Sequence, residues 1–100
     1  MEPQGEDDPR ERALALLEAH HTFPGPYEFR VVMRPPARGA VLGAVMSAAG
    51  SGAVLLDVSE RASAAGNYLS LRLRVQLEGA ERVLDVYEVI RAVDDVITAM

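Results

Sequence analysis

The stretch that most constrains the fold is residues 67–78, where aliphatic and polar positions alternate strictly. Every second residue from Leu69 to Leu77 is leucine or valine, and the positions between them carry polar or charged side chains. Successive side chains of a strand point to opposite faces of a sheet, so this stretch predicts a strand with one apolar and one polar face. Burial of the aliphatic set contributes roughly 8–15 kcal/mol before chain entropy is subtracted. The rest of the chain must therefore cover the apolar face.

Three further strands and three helices are predicted around this strand. Alternation predicts strands at 26–34, 53–63 and 94–100, and helical periodicity predicts helices at 10–21, 37–49 and 81–93. In the strand at 53–63, we expect Val54, Leu56 and Val58 to face the core. The residues expected to face outward are Leu55, Asp57, Ser59 and Arg61.

This order of elements predicts an α+β fold of the ferredoxin-like βαββαβ type, preceded by a short N-terminal helix. Right-handed crossovers give a four-stranded antiparallel sheet in the order 4-1-3-2, with two helices on one face. Residues 10–100 are expected to form a single domain. Residues 1–9 are acidic, contain two prolines and a glycine, and are expected to form a disordered tail.

Composition argues against several classes of function. The 100-residue chain has no cysteine, so it can form neither a disulfide nor a thiolate metal site. Its two histidines, His20 and His21, are adjacent on a helix and do not share a face. We therefore expect no catalytic residues, no enzyme activity, no metal and no cofactor. The N-terminus lacks the pattern of a signal peptide, which favours a cytoplasmic location.

Residues 39–56 carry no charge. The length of this uncharged run approaches the roughly 20 apolar residues that a membrane span needs. The Gly-Ser-Gly sequence at 50–52 interrupts the run, so no membrane association is expected. The uncharged back of the helix at 37–49, where Gly39, Gly43 and Ser47 recur every four residues, is either a partner-binding surface or a surface of small residues without a role.

Four segments together resemble the YbeD-like family, domain of unknown function 493. They are Leu-Leu-Glu at 16–18, Phe-Pro-Gly-Pro-Tyr-Glu-Phe-Arg-Val-Val-Met at 23–33, Ser-Ala-Ala-Gly-Asn-Tyr-Leu-Ser at 63–70, and Val-Tyr-Glu at 86–88 with Val96. The resemblance spans about residues 13–100. It implies a ferredoxin-like fold similar to that of ACT domains, the small regulatory modules of amino-acid metabolism, and it implies no catalytic activity.

Three groups of residues are candidates for a ligand or partner surface. The open face of the predicted sheet carries a modest basic patch, formed by Arg30, Arg72 and Arg74. In the family the turn at 63–68 usually reads Ser-x-Lys-Gly-x-Tyr. Ser63, Gly66 and Tyr68 match, but alanine replaces the lysine, so these residues could form a turn with a purely structural role. The resemblance to ACT domains also points to the loop after the first strand, where Arg34 and Arg38 either hold a carboxylate or are simply solvated.

These observations predict a non-catalytic regulatory or protein-interaction module that acts through its open sheet face, its edges or its helix back. The expected partner is a protein, with a second copy of the chain as one candidate. The alternative is an ACT-like sensor of an amino acid or another small anion. RNA-binding domains of the same topology stack bases on aromatic residues of the central strands. Here Tyr68 would be the only aromatic residue on that face, so nucleic acid is not expected.

Overall fold

The computed structural model describes residues 8–100, and its architecture confirms the predicted ferredoxin-like fold. A turn of 3-10 helix over Pro35–Ala37 connects the first strand to the second helix. The elements in chain order are α1 (Pro9–His20), β1 (Gly25–Met33), α2 (Arg38–Ala49), β2 (Val54–Ala62), β3 (Leu69–Leu77), α3 (Ala80–Arg91) and β4 (Val96–Ala99).

Helix α1 starts one residue earlier than predicted, because Asp8 caps it. The Asp8 carboxylate accepts a hydrogen bond from the backbone N–H of Arg10 at 2.9 Å, and Pro9 stands at the first helical position, where its missing N–H costs nothing. The remainder of the tail predicted at 1–9 lies outside the described residues.

The four strands form one antiparallel sheet in the order β2-β3-β1-β4, as predicted. The central strands β1 and β3 pair along their whole length, from Gly25 opposite Leu77 to Met33 opposite Leu69. Strand β4 pairs with the second half of β1, and reciprocal backbone bonds of 2.8 and 2.7 Å between Arg30 and Met100 extend that pairing to the C-terminal residue.

The core lies on one side of the sheet, between the strands and helices α2 and α3. The alternating residues of β3 from Leu69 to Leu77 are all buried, and the corresponding residues of β1 pack beside them. The largest fully buried side chains are those of Phe29, Val31, Met33, Val41, Val45, Leu71, Leu73, Val75, Leu77, Val83, Val86 and Ile90.

Within residues 8–100, no helix combines the length and the apolarity that crossing a bilayer requires.

Strand β2 corrects one prediction. The register shifts between Leu55 and Asp57, so that Leu55 pairs with Val75 and Val58 pairs with Leu73. Opposed residues of an antiparallel pair share a face, which places Leu55 and Val58 on the helix side. Val54 pairs with Gln76 on the open side, and Leu56 is the extra residue of a bulge. The expectations that Val54 and Leu56 face the core and that Leu55 faces outward were wrong, because a bulge inverts the alternation on one side of it.

Candidate functional site

Two arginines face each other at the centre of the open side of the sheet. Arg30 of β1 is directly opposite Arg72 of β3. One carboxylate oxygen serves both: Glu28 Oε2 accepts a hydrogen bond from Arg30 Nε at 3.0 Å and lies 3.5 Å from Arg72 Nε. Like charges directly opposite each other destabilise a sheet. The fold alone therefore gives no reason for this pair, which a second negative group would neutralise.

The open face is positive although the whole chain carries a formal charge of −5. The register places Asp57 opposite Arg74 and Arg61 opposite Ser70 on this face. The charged residues that the described strands direct to this side are therefore the arginines Arg30, Arg61, Arg72 and Arg74 and the acids Glu28 and Asp57. Because cations outnumber acids two to one, this face attracts anions.

A depression of about 430 Å³ lies over the ends of the central strands on this face. Its charged lining consists of the three arginines Arg30, Arg61 and Arg72 and one acid, Glu60, and the hydroxyls of Ser59 and Ser70 lie among them. Guanidinium groups donate paired hydrogen bonds to carboxylate and phosphate oxygens, and hydroxyls can add further donors. The depression can thus hold the oxygens of an anionic group, but it is too open to enclose a small molecule.

The turn between β2 and β3 is held by its own backbone and by one side chain. Ser63 Oγ accepts a hydrogen bond from the Tyr68 N–H at 3.1 Å, and the Ser63 N–H donates to the Tyr68 carbonyl at 2.9 Å. Gly66 has a φ of 76°, which a residue with a side chain adopts only at a cost. These contacts explain Ser63 and Gly66 as turn residues. Tyr68 also makes a contact outside the turn, because the centre of its ring lies 5.6 Å from the guanidinium carbon of Arg34.

The structure does not bring Arg34 and Arg38 together into one anion site. Arg38 Nε donates a hydrogen bond to Glu60 Oε1 at 2.6 Å, and this contact links the first residue of α2 to β2. Arg34 Nε lies 3.9 Å from Asp95 Oδ1, and its backbone N–H donates to the Asp95 carbonyl at 2.9 Å. Each of the two arginines therefore already faces a carboxylate.

The clearest pKa perturbation in residues 8–100 lies away from the open face. Burial, followed by the hydrogen bond to Tyr27, raises the pKa of Tyr87 well above its ordinary value of 10.0. The two hydroxyl oxygens are 3.1 Å apart, inside an aromatic cluster with Phe29. Such a shift keeps Tyr87 neutral and fits a packing role. Within the same residues, no group of three or more histidine, cysteine or acidic side chains is arranged to bind a metal.

Sequence reasoning missed Arg61, Ser59 and Met100 as lining residues. Alternation assigned Arg61 and Ser59 to the outward face of their strand, but nothing local indicated that β2 would bring them beside Arg72. Met100 joins the depression only through its backbone pairing with Arg30, a contact across most of the chain.

Comparison with solved structures finds domains of the same fold at low sequence identity. The C-terminal domain of the MgtC protein from Mycobacterium tuberculosis superposes with a TM-score of 0.67 and 16% identity, over 80% of this chain and 87% of that one. The ACT domain from the GTP pyrophosphokinase of Chlorobium tepidum gives a TM-score of 0.63 and 14% identity in its crystal structure, over 76% of this chain and 95% of that one. Its solution structure gives 0.60 and 14%, over 75% and 82%.

At the level of sequence, the family model described as "Protein of unknown function (DUF493)" matches residues 18–100. No protein with a curated description matches the chain. The matched residues include every strand of the sheet, helices α2 and α3, and all residues of the open face.

Proposed function

The chain belongs to the DUF493 family of proteins of unknown function, and from this premise and its ACT-like fold we propose that it is a small, non-catalytic regulatory module that binds an acidic segment of a partner protein on its open sheet face. The observation that carries the proposal is the directly opposed pair of Arg30 and Arg72, which share the single carboxylate of Glu28. A carboxylate from outside the chain would complete the charge balance of that pair.

The shape of the face favours a protein segment over a free metabolite. Small-molecule sites usually enclose most of the ligand surface, whereas the depression here lies open on a sheet whose arginine side chains remain about half exposed, at 57% for Arg30 and 52% for Arg72. A partner chain brings its own surface to cover the groups that the depression leaves open. Reorienting both arginines toward an incoming carboxylate costs little, since their present ion pairs are exposed and weak.

Site-specific photocrosslinking in host cells tests the proposal. A photoreactive residue at Val32 samples the open face, and one at Ser47 on the exposed back of α2 serves as the matched control. We expect discrete protein adducts from Val32 that Arg72→Glu abolishes while a charge change elsewhere, Glu88→Arg, preserves them. Adducts formed only from Ser47, or adducts from Val32 that survive Arg72→Glu, would contradict the assignment of the open face.

The small-molecule alternative makes a different prediction. A native-state ligand raises the melting temperature according to its concentration relative to Kd. Suppose that an amino acid or nucleotide raises the melting temperature, and that this effect is lost in Arg38→Gln but kept in Arg72→Gln. The loop of Arg34 and Arg38 is then the functional site, and the open-face proposal is wrong.

A further inference from the structure

A second depression, of about 370 Å³, adjoins the one described above on the open face. It is lined by Arg61, Ala62, Ser63, Ala64, Tyr68 and Ser70. Because Arg61 and Ser70 line both depressions, the two form one continuous channel, which we call the open-face trough. It extends from Arg30 and Arg72 to the turn between β2 and β3.

The floor of the trough consists of three rows of side chains, each running across the sheet. In order, the rows are Arg30 with Arg72 and Ser59, Val32 with Ser70 and Arg61, and Arg34 with Tyr68 and Ser63. Successive rows are two residues apart along each strand, so about 13 Å separates the first row from the third. An extended segment of five residues covers this distance.

The first two rows are positively charged. The first row carries the opposed arginine pair, and in the second row Arg61 lies opposite the neutral Ser70. Glu60 also lines the trough, but it lies on the helix side of β2, where it accepts a hydrogen bond from Arg38. The first two rows therefore offer guanidinium donors to two separate carboxylates of a partner.

The third row differs from the others because it offers an aromatic ring. Tyr68 is 41% exposed. Its contact with Arg34 and its backbone hydrogen bonds to Ser63 hold it at the end of the trough. An exposed ring in a fixed position can stack on an aromatic side chain of a partner, and such pairs add affinity beyond the area that they bury.

We propose that the trough binds an extended segment with acidic residues at its first and third positions and an aromatic residue at its fifth, an inference that rests on the function proposed above. Alternate side chains of an extended chain point to the same side. The two acids therefore face the two arginine rows, and the aromatic side chain stacks on Tyr68. The residues at the second and fourth positions point away from the sheet and are not selected.

Titration of the isotope-labelled full chain with synthetic peptides, followed by two-dimensional NMR, tests this order of side chains. The probe is the peptide Gly-Glu-Ser-Glu-Ser-Trp-Gly. Its matched control, Gly-Glu-Ser-Glu-Trp-Ser-Gly, has the same composition but directs the tryptophan away from the sheet, and a second control replaces the tryptophan by alanine. We expect the probe to bind about threefold to tenfold more tightly than either control, the factor that an aromatic pair contributes.

Three variants assign the two parts of this affinity. Tyr68→Ala should remove the preference for the probe over its controls, whereas Tyr68→Phe should keep it, because the ring and not the hydroxyl does the stacking. Arg72→Gln should weaken the binding of all three peptides by a similar factor and leave the preference intact. The dispersion of signals in the spectrum of each variant establishes that it is folded.

The outcomes separate this inference from the function on which it rests. If the probe binds no more tightly than its controls while Arg72→Gln weakens all three peptides, the role of Tyr68 is wrong and the binding of acidic segments stands. A preference that survives Tyr68→Ala also overturns the inference, because the tryptophan must then contact another surface. If no peptide binds at up to about 5 mM, where even millimolar affinity is visible, or if binding does not depend on Arg72, both proposals are wrong.

Discussion

Replacing Glu28 by glutamine tests whether its carboxylate offsets the repulsion between Arg30 and Arg72 on the open face. The substitution keeps the shape of the side chain. Within residues 8–100 it removes the only carboxylate that contacts both Arg30 and Arg72, at 3.0 and 3.5 Å. Each exposed ion pair contributes about 0.2–1 kcal/mol, and the directly opposed arginines, no longer neutralised, repel each other by a similar amount. The free energy of unfolding should therefore fall by about 1 kcal/mol, which lowers the melting temperature of a domain this size by about 4–8 °C.

Urea denaturation at low and high ionic strength is the appropriate assay, because urea is uncharged and leaves the salt concentration free to vary. The loss should be largest in about 10 mM salt, where the Debye length is about 30 Å, and should nearly vanish at about 1 M, where it is about 3 Å. The double variant Glu28→Gln/Arg72→Gln should recover most of the lost stability, because it removes the repulsion together with the carboxylate. A loss that is equal at both salt concentrations, or that the double variant does not reverse, would show that Glu28 stabilises the sheet through packing and not through charge.

Two further predictions concern positions away from the arginines. A Cβ at Gly43 meets nothing within 4 Å, so Gly43→Ala should raise the free energy of unfolding by about 1 kcal/mol through helix propensity. Gly66 has a φ of 76°, so Gly66→Ala should lower that free energy by about 1 kcal/mol or more. Urea denaturation measures both variants, and changes in stability of the same sign would contradict the argument. Because the native state holds the Tyr87 proton beyond the ordinary pKa of 10.0, the unfolded state releases it first, so stability should fall as pH rises above about 10. Tyr87→Phe should reduce this alkaline loss, and absorbance titration near 295 nm should show one tyrosine ionising only on unfolding; a flat pH dependence in the wild type would refute the shift.

The strong periodicities of this sequence were sufficient to predict the architecture. The alternation in β3 and the stripes of α2 and α3 each have one period and one buried face, and the order of elements then leaves few topologies. Strand β2 failed because its sequence begins with three consecutive aliphatic residues, Val54 to Leu56. Such a run fits either phase of an alternation, and no glycine or proline inside it signals the bulge.

The candidate site was predictable residue by residue but not as an arrangement. Alternation alone places Arg30, Arg72 and Arg74 on the open face. That Arg30 faces Arg72 depends on the register between β1 and β3, which are separated in the chain by a helix and a strand. No turn residue fixes such a register, because it is set by the packing of Phe29 and Leu73 against the helices. Arg61 enters the depression for the same reason, through its position on a strand that pairs with β3.

The division of the sheet into a buried and an open face determines what substitutions on each side can reveal. Side chains such as Leu73 on the helix side are fully buried, and removing their methyl groups costs several kcal/mol because a cavity remains. Charged side chains on the open side are 39–57% exposed where they form ion pairs, so each contributes at most about 1 kcal/mol to folding. The open face can therefore carry opposed arginines at little cost to stability. For the same reason, substitutions of Arg72 should change partner binding while the fold stays intact, which separates a role in recognition from a role in folding.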